Sequence, residues 1–509
     1  MSGVVLGVDI GTSACKTVAV DTRGTVVAST VIDYPLYSDR QGWSEQDPLD
    51  WWCATREGIA EIVAELGDAE IVAIGLSGQM HGLVALDKDG QVLRRAILWN
   101  DQRCATECDE ITAELGGLDA LVSLTNNRML PGFTGGKIRW LRDHEPEIYA
   151  RMARVCLPKD YLRYRLTGLF VTDESDASGT GFFDPRSRRW VPEVLAVCGA
   201  ELSMLPEVVG STERTGTVSD EIADQLDLPR GLPVFGGGGD AVIQTTSMGI
   251  IASGDVGVTL GTAGIVAAST DFCPENLNAR VQVSVGNAPG AWHIMGVSLA
   301  AAGAFQWFGE IVAQYAGQDR PDFAGLTELA ASAPVGSEGL LFLPYLNGER
   351  SPHVAPYATA AFIGLTRAHR AEHLARAVIE GALFNLRRIL AEFEELGVPC
   401  ARIVASGGAS QSSLWLQILA DVSDREVVTL AGSAEGGAFG AALVAGVGVG
   451  VCSEYAEVFA DLETTTHVRP NPDHVEQYKR IYPLHSALFE QLAEVQAGLK
   501  SLTTKEFAG

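Results

Sequence analysis

The stretch Gly7-Val8-Asp9-Ile10-Gly11-Thr12-Ser13 ends an apolar, β-branched run that begins at Val4. This run predicts a strand, and residues 17–20 and 25–30 predict two more. The turn after the first strand therefore carries a carboxylate, a glycine and two hydroxyls. Glycine lets backbone N–H groups approach an anion, and a carboxylate beside them suits hydrated Mg²⁺. Taken alone, however, the stretch is better explained as an ordinary tight hairpin.

The same pattern recurs at residue 257 as Gly257-Val258-Thr259-Leu260-Gly261-Thr262-Ala263-Gly264. Each copy opens a long segment, which indicates two related domains that face each other across a cleft. Only the first copy supplies a charge, because the second has Thr259 in place of Asp9. Paired loops of this kind resemble the phosphate loops of the actin-like (ribonuclease-H-like) ATPase fold. We therefore expect an α/β chain with two actin-like ATPase domains around a central cleft.

The composition is that of a large globular protein with an acidic surface. Its 509 residues are too many for one ordinary domain. Hydrophobic residues make up 47% of the chain and charged residues 20%, which is enough apolar material to fill the cores. The net charge of −27 is spread along the chain. Nucleic acid and anionic membranes both need a basic face, so we expect neither as a partner.

The cysteines and the termini predict a cytoplasmic protein. Nine cysteines are scattered without a Cys-x-x-Cys pair, which fits a reducing compartment. The N-terminus has no basic region, so no signal peptide is predicted. The longest uncharged run, residues 436–452, is shorter than the ~20 apolar residues of a bilayer span and predicts a buried, closely packed helix. A homodimer stays open as the assembly state.

Two bends carry polar residues at predicted strand ends. Gln79-Met80-His81 lies in a glycine-flanked bend, where open α/β sheets bind ligands. Histidine offers a hydroxyl a donor or an acceptor, although a surface loop histidine is an equal explanation from position alone. The run Gly236-Gly237-Gly238-Gly239 precedes Asp240, and four glycines lower stability unless the backbone must lie close to something. We favour a chemical role for Asp240 over a capped flexible turn, because the second phosphate-type loop follows closely.

Three other segments complete the interpretation. Gly407-Gly408 joins a predicted strand to an amphipathic helix, which is typical of nucleotide-binding units but also common as a close-packing turn. Residues 171–178 predict a polar loop. The chain from residue 474 onward predicts helix.

Two long stretches resemble the signature patterns of the FGGY family of carbohydrate kinases. Residues 132–144 match the first pattern and residues 360–380 match the second. The matching positions are Thr134, Lys137, Trp140 and Asp143 in the first, and Phe362, Gly364, His373, Ala377 and Glu380 in the second. The resemblance extends from residue 7 to about residue 446, nearly the whole chain.

The resemblance implies three regions and a site. Residues 1–250 would form a sugar-binding domain, 251–450 an ATP-binding domain, and 451–509 a helical tail packed on the second domain. Asp240 would take the proton of the sugar hydroxyl, and Asp9 would support Mg²⁺ and phosphate. The substrate-binding residues would be Gln79, Met80 and His81 together with Asp240. The ATP-binding residues would be Gly11, Thr12, Ser13, Gly261, Thr262, Gly407, Gly408 and Ser412.

Within the family, the resemblance is closest to members that phosphorylate the ketopentose D-xylulose on O5, using ATP and Mg²⁺. Ala241 departs from that pattern, because those members usually have a sugar-binding asparagine at this position. Another ketose or a polyol, such as ribulose or a pentitol, therefore stays open as the substrate. A non-catalytic sugar sensor on the same fold is a further alternative. The presence of both Asp9 and Asp240 argues against it.

Overall fold

The structure, a computed structural model, describes residues 3–430, 436–452, 455 and 464–506. Two mixed seven-stranded sheets, one in each half of the chain, form its framework. This confirms the predicted α/β architecture of two related halves. No helix in the described part of the chain combines the length and the apolar character that a membrane span needs.

The strands of the first half surround a central parallel pair, β1 and β5, in the sheet order β13-β14-β5-β1-β2-β3, with β15 also paired to β5. Their bounds are β1 (Val4–Ile10), β2 (Ala14–Val20), β3 (Val26–Asp33), β4 (Glu45–Gln46), β5 (Ile71–Gly78), β6 (Val84–Leu86), β7 (Ala96–Ile97), β8 (Arg154–Cys156), β9 (Val171–Asp173), β10 (Phe183–Asp184), β11 (Arg189–Trp190), β12 (Glu207–Val209), β13 (Arg214–Thr217), β14 (Pro233–Phe235) and β15 (Gly238–Gly239).

The strands of the second half form a sheet in the order β18-β19-β17-β16-β22-β23-β24. Their bounds are β16 (Gly254–Leu260), β17 (Gly264–Thr270), β18 (Gln282–Val285), β19 (Trp292–Ser298), β20 (Leu341–Leu343), β21 (Ala361–Ile363), β22 (Cys400–Ser406), β23 (Glu426–Leu430) and β24 (Thr464–Val468).

The helices cover both sheets. They are α1 (Pro48–Leu66), α2 (Ala105–Glu114), α3 (Leu118–Thr125), α4 (Thr134–His144), α5 (Pro146–Arg151), α6 (Pro158–Thr167), α7 (Glu174–Ser178), α8 (Pro192–Cys198), α9 (Asp220–Gln225), α10 (Asp240–Ser247), α11 (Ala302–Ala316), α12 (Phe323–Ser332), α13 (Ala371–Glu395), α14 (Ser413–Ser423), α15 (Gly436–Val449) and α16 (Pro472–Glu506).

The sequence repeat occupies equivalent places in the two sheets. β1 pairs antiparallel with β2 and parallel with β5, and β16 pairs in the same way with β17 and β22. Asp9 lies opposite Ser77 on β5, and Thr259 lies opposite Ser406 on β22. The two copies of the pattern therefore open two halves of the same local design, each with a tight turn after its first strand.

Helix α15 comes from the second half of the sequence but packs on the first sheet. A Cβ at Gly7 would lie 1.9 Å from the carbonyl oxygen of Ala438, and one at Gly75 would lie 1.9 Å from that of Ala441. The buried helix was predicted, but its partner was not, since residues 251–450 were expected to form the second domain. The glycine that begins the sequence pattern is thus required by helix packing.

The C-terminal region departs from the purely helical tail expected from residue 451. Strand β24 pairs antiparallel with β23 and forms an edge of the second sheet. Helix α16 packs on α13 and α14, and the Tyr478 hydroxyl donates to Glu380 Oε1 at 2.7 Å. Glu380, a position of the second signature pattern, therefore anchors this helix. Residues 453–454, 456–463 and 507–509 of the predicted tail lie outside the described residues.

The predicted polar loop at residues 171–178 is wrong. The segment forms β9 and α7, and Asp173 caps the helix by accepting hydrogen bonds from the N–H groups of Ser175 and Asp176. The carboxyl groups of Asp173 and Asp176 are buried beside the Lys159 ammonium, whereas the sequence was interpreted as a polar loop.

The contact between α15 and β5 yields a stability prediction. Gly75→Ala should destabilise the fold by ~1–3 kcal/mol or more, because the added methyl would overlap the Ala441 carbonyl. Gly446→Ala on α15 is the matched control, since its Cβ would meet only Val5 Cγ2 at 3.9 Å. The control should be neutral or stabilising, because alanine favours helix. Urea unfolding followed by circular dichroism measures both, and a Gly75→Ala midpoint equal to wild type would contradict this packing.

Candidate active site

Asp9 lies near the end of β1, where the two halves of the chain meet. Its Oδ1 is buried and has no hydrogen-bond partner among the described residues. A Cβ at Gly437, at the start of α15, would lie 2.6 Å from Asp9 Cγ, so the helix N-terminus touches this carboxyl group. Burial raises the pKa of Asp9. Such a carboxyl gains from a cation or a proton.

Asp240 begins α10 and lies close enough to Asp9 for their charges to interact. Burial, and then the charge of Asp9, raises the pKa of Asp240 to about 7. The N–H of Ala241 donates to Asp240 Oδ1 at 2.8 Å, and the N–H of Met80 also donates to this carboxyl. The structure thus brings together the two carboxylates that the sequence singled out. One of them is poised to exchange a proton near neutral pH.

His81 is fixed in a left-handed backbone conformation, with φ of 71°. Its Nδ1 lies 2.7 Å from the Gly179 carbonyl oxygen, which can only accept, so Nδ1 carries the hydrogen. Burial, and then the nearby Arg350, lowers the pKa of His81 to about 3. The ring is therefore neutral, and Nε2 is left as a hydrogen-bond acceptor.

The first signature stretch holds the backbone of His81. The His81 carbonyl oxygen accepts from Thr134 Oγ1 at 3.1 Å and from Lys137 Nζ at 2.7 Å. Lys137 also donates to the Gly132 carbonyl. Phe133 lies against the His81 ring, with centroids 4.7 Å apart. Because positive φ is unfavourable for histidine, these contacts explain why the signature residues are needed here.

Gln79 and Met80 contact the backbone segments that carry the site residues. Gln79 is fully buried, and its Nε2 donates to the Gly11 carbonyl at 3.2 Å and to Gln46 Oε1 at 2.8 Å. A Cβ at Gly239 would lie 2.4 Å from Met80 Cγ, so Met80 packs against the strand that leads to Asp240. Gln79 therefore braces the first glycine turn, and its predicted contact with substrate stays a prediction.

Each predicted phosphate turn is closed at its glycine by one backbone hydrogen bond. Gly11 N–H donates to the Ala14 carbonyl at 3.0 Å, and Gly261 N–H donates to the Ala263 carbonyl at 3.1 Å. Thr12 Oγ1 accepts from Trp99 Nε1 at 3.0 Å. Ser13 is exposed beside it. Each turn presents backbone and hydroxyl donors, as anion binding requires.

A cavity of about 810 Å³ lies in the second half, next to the second turn. Four of the predicted ATP residues line it: Gly261, Thr262, Gly408 and Ser412. Gly407 lines a separate cavity that Gly408 also lines, and no residue of the first turn lines either cavity. The larger cavity has the size of a small-molecule site.

Sequence reasoning missed the aromatic lining of this cavity. Phe305, Phe323 and Trp415 come from α11, α12 and α14 and meet only through the fold. Phe305 and Trp415 lie edge to face, with ring centroids 6.0 Å apart. No motif marks these residues, since each looks like a core residue of an amphipathic helix. An apolar slot beside glycine turns suits a nucleobase with its phosphates directed at the turns.

Comparison with known families matches both halves of the chain. Residues 4–247 match the FGGY family of carbohydrate kinases, N-terminal domain, and residues 256–449 match its C-terminal domain. The chain belongs to the FGGY family of carbohydrate kinases. It is therefore a phosphotransferase enzyme of the actin-like fold, as the signature stretches predicted.

Three FGGY relatives show the range of the resemblance. A xylulose kinase of Bacillus subtilis (strain 168) is 35% identical over 502 residues, covering 98% of this chain and 99% of that protein. The crystal structure of xylulose kinase from Rhodospirillum rubrum is 33% identical with a TM-score of 0.91, covering 97% and 99%. That of gluconate kinase from Lactobacillus acidophilus is 27% identical with a TM-score of 0.91, covering 97% and 99%.

Proposed function

We propose that this protein transfers the γ-phosphoryl group of ATP to O5 of D-xylulose. The approach of Asp9 and Asp240 at the junction of the two halves carries this proposal. The 810 Å³ cavity on one side would take the nucleoside, and the His81 side would take the sugar. The full-length similarity to xylulose kinases supports the choice of sugar. A cytoplasmic location and a homodimer remain predictions.

Asp240 is the proposed base. Phosphoryl transfer depends mainly on positioning and on neutralising charge, with one group to orient the attacking hydroxyl. The Asp240 carboxylate accepts the proton of the sugar O5 hydroxyl as that oxygen attacks the γ-phosphorus. The bond from this phosphorus to the β,γ-bridging oxygen breaks, and ADP leaves. The N–H groups of Met80 and Ala241 hold the carboxyl in place. The neutral Nε2 of His81 accepts from a second sugar hydroxyl.

Mg²⁺ fits beside Asp9. The unpartnered Oδ1 is a hard oxygen donor, and the carboxyl of Asp240 lies nearby. Asp9 would hold the ion directly or through its waters, and the ion would neutralise charge on the phosphates. Thr12 and Ser13 in the first turn, with Gly261 and Thr262 in the second, would donate to phosphate oxygens.

The pKa of Asp240 gives a pH prediction. Because burial raises this pKa to about 7, kcat/KM for the sugar should rise with pH through that region. Below it the carboxyl keeps its proton and cannot accept another, so rates should fall about tenfold per pH unit. Titration of His81 should not affect this pH profile, since its pKa of about 3 keeps the ring neutral throughout the range. Coupled ADP-release rates would measure the profile, and a flat profile across this range would contradict the assignment.

Removing the base gives a second test. Asp240→Asn should retain sugar binding but lower kcat by ~10²–10⁴, because an amide cannot take the proton. Asp255→Asn is the matched control, since Asp255 pairs with Arg402 away from the cleft. The control should keep wild-type kcat. A near-normal kcat for Asp240→Asn would remove Asp240 from the mechanism, and wild-type protein that binds sugar without releasing ADP would favour the sensor.

The sugar itself is tested by a substrate panel. D-xylulose should give the highest kcat/KM among D-xylulose, D-ribulose, L-ribulose, pentitols and D-gluconate. Gluconate belongs in the panel because a gluconate kinase is among the structural relatives. If kcat/KM for another compound is more than about tenfold higher than for D-xylulose, the choice of sugar is wrong and only the assignment as a carbohydrate kinase holds.

Ala241 sets how selective the pocket is. Its N–H reaches Asp240, but its methyl group offers the sugar no hydrogen bond. A site that bonds a hydroxyl rejects analogues strongly, whereas an apolar side chain tolerates them. Ala241→Asn should therefore lower KM for D-xylulose and widen its preference over ribulose. If the ratio of KM for D-xylulose to KM for ribulose did not change, the sugar would not lie beside residue 241.

A further inference from the structure

A fully buried charged network lies beneath the glycine run that leads to Asp240. Lys159 Nζ lies 2.9 Å from Asp160 Oδ1, 2.7 Å from Asp173 Oδ2 and 3.2 Å from Asp176 Oδ2. Arg163 joins through Asp160 at 3.2 Å. The three carboxylates have the spacing of a metal cluster, but the Lys159 ammonium lies among them. We call these five residues the buried network.

The buried network contains two cations, Lys159 and Arg163, and three carboxyl groups. Burial raises the pKa of Asp176 well above its usual range. Buried ion pairs add little net stability, because desolvation offsets their attraction. Their geometry therefore points to a role other than stability.

The buried network holds the glycine run at both ends. Arg163 Nη2 donates to the Gly236 carbonyl oxygen. Asp173 Oδ1 accepts from both the N–H and the hydroxyl of Ser175. The Ser175 oxygen in turn accepts from the N–H of Gly239 at 3.0 Å. An ion pair from Lys159 to Asp173, followed by hydrogen bonds through Ser175, thus connects Lys159 to Gly239, the residue directly before Asp240.

Gly238 has to be glycine for this arrangement. A Cβ there would lie 2.9 Å from Ser175 Oγ and 2.3 Å from Asn287 Nδ2. The backbone of the run therefore lies directly against α7 on one side and against the second half on the other. Any drift of Ser175 would shift Gly239 and with it the Asp240 carboxyl.

We propose that Ser175 is a positioning residue that fixes Asp240, and that the buried network holds Ser175 rigid. The proposal rests on the proposed function, since it takes Asp240 as the base. Ser175 is not among the residues proposed to bind the sugar or the nucleotide. It acts by pinning the Gly239 N–H, so that the Asp240 carboxylate points at the attacking hydroxyl. A displacement of about 1 Å in such a group costs up to ~10²-fold in rate.

Ser175→Ala tests this against a matched control on the same helix. Ser178 is also buried, and its hydroxyl donates to the Glu174 carbonyl and accepts from Val285 N–H in the second half. Ser175→Ala should lower kcat by ~10–100-fold with KM for sugar and ATP little changed. Ser178→Ala should keep wild-type kcat, although it should lose about as much thermal stability as Ser175→Ala. Hydrogen exchange of the peptide spanning residues 236–242 should quicken only in Ser175→Ala.

Three outcomes would overturn the proposal. One is an equal loss of kcat in both variants, which would indicate general destabilisation. Another is wild-type kcat in Ser175→Ala despite faster exchange, and the last is unchanged exchange. Failure of the proposed function looks different, because then Asp240→Asn itself would keep near-normal kcat or wild-type protein would phosphorylate no sugar of the panel.

Discussion

The close packing of α15 on the first sheet determines where both candidate catalytic carboxyl groups lie. Its small residues let the helix backbone touch β1 and β5 at Gly7 and Gly75. At its start, Gly437 abuts Asp9, and one turn later a Cβ at Gly440 would lie 2.6 Å from the Ile243 carbonyl of α10. Since α10 begins with Asp240, one helix touches both carboxyl-bearing elements. Bulkier residues in α15 would separate the two groups.

The same contact places both carboxyl groups in a region of low polarity. Burial raises the pKa of each, and the charge of Asp9 raises that of Asp240 further. Two like charges this close are unfavourable unless a proton or a cation relieves them. The arrangement therefore lowers stability at neutral pH while it provides a base and an ion-binding oxygen. Such a conflict between local stability and chemistry is expected at functional sites.

The two-half architecture and the pair Asp9 and Asp240 could be predicted from the sequence, because a repeated pattern and a glycine run are visible in short stretches of the chain. The reason for Gly7 was not predictable, since Ala438 lies far along the chain and its approach depends on the whole fold. The segment 171–178 was misjudged because buried ion pairs and solvated loops have the same composition. The aromatic lining of the cavity was not predicted, since Phe305 and Trp415 resemble ordinary core residues in the sequence.

The two halves are also joined by a polar seam formed by Asn126, Asn127, Asn276 and Val283. The Asn127 side chain accepts from Val283 N–H at 2.9 Å and donates to the Val283 carbonyl at 2.8 Å, as a neighbouring strand would. Asn276 donates two further bonds to Asn126, from its N–H to Asn126 Oδ1 at 3.0 Å and from its Nδ2 to the Asn126 carbonyl oxygen at 3.1 Å. Separating these buried groups would leave each unsatisfied at about 1–3 kcal/mol. These bonds therefore add to the packing of α15 in holding the two halves of the chain together.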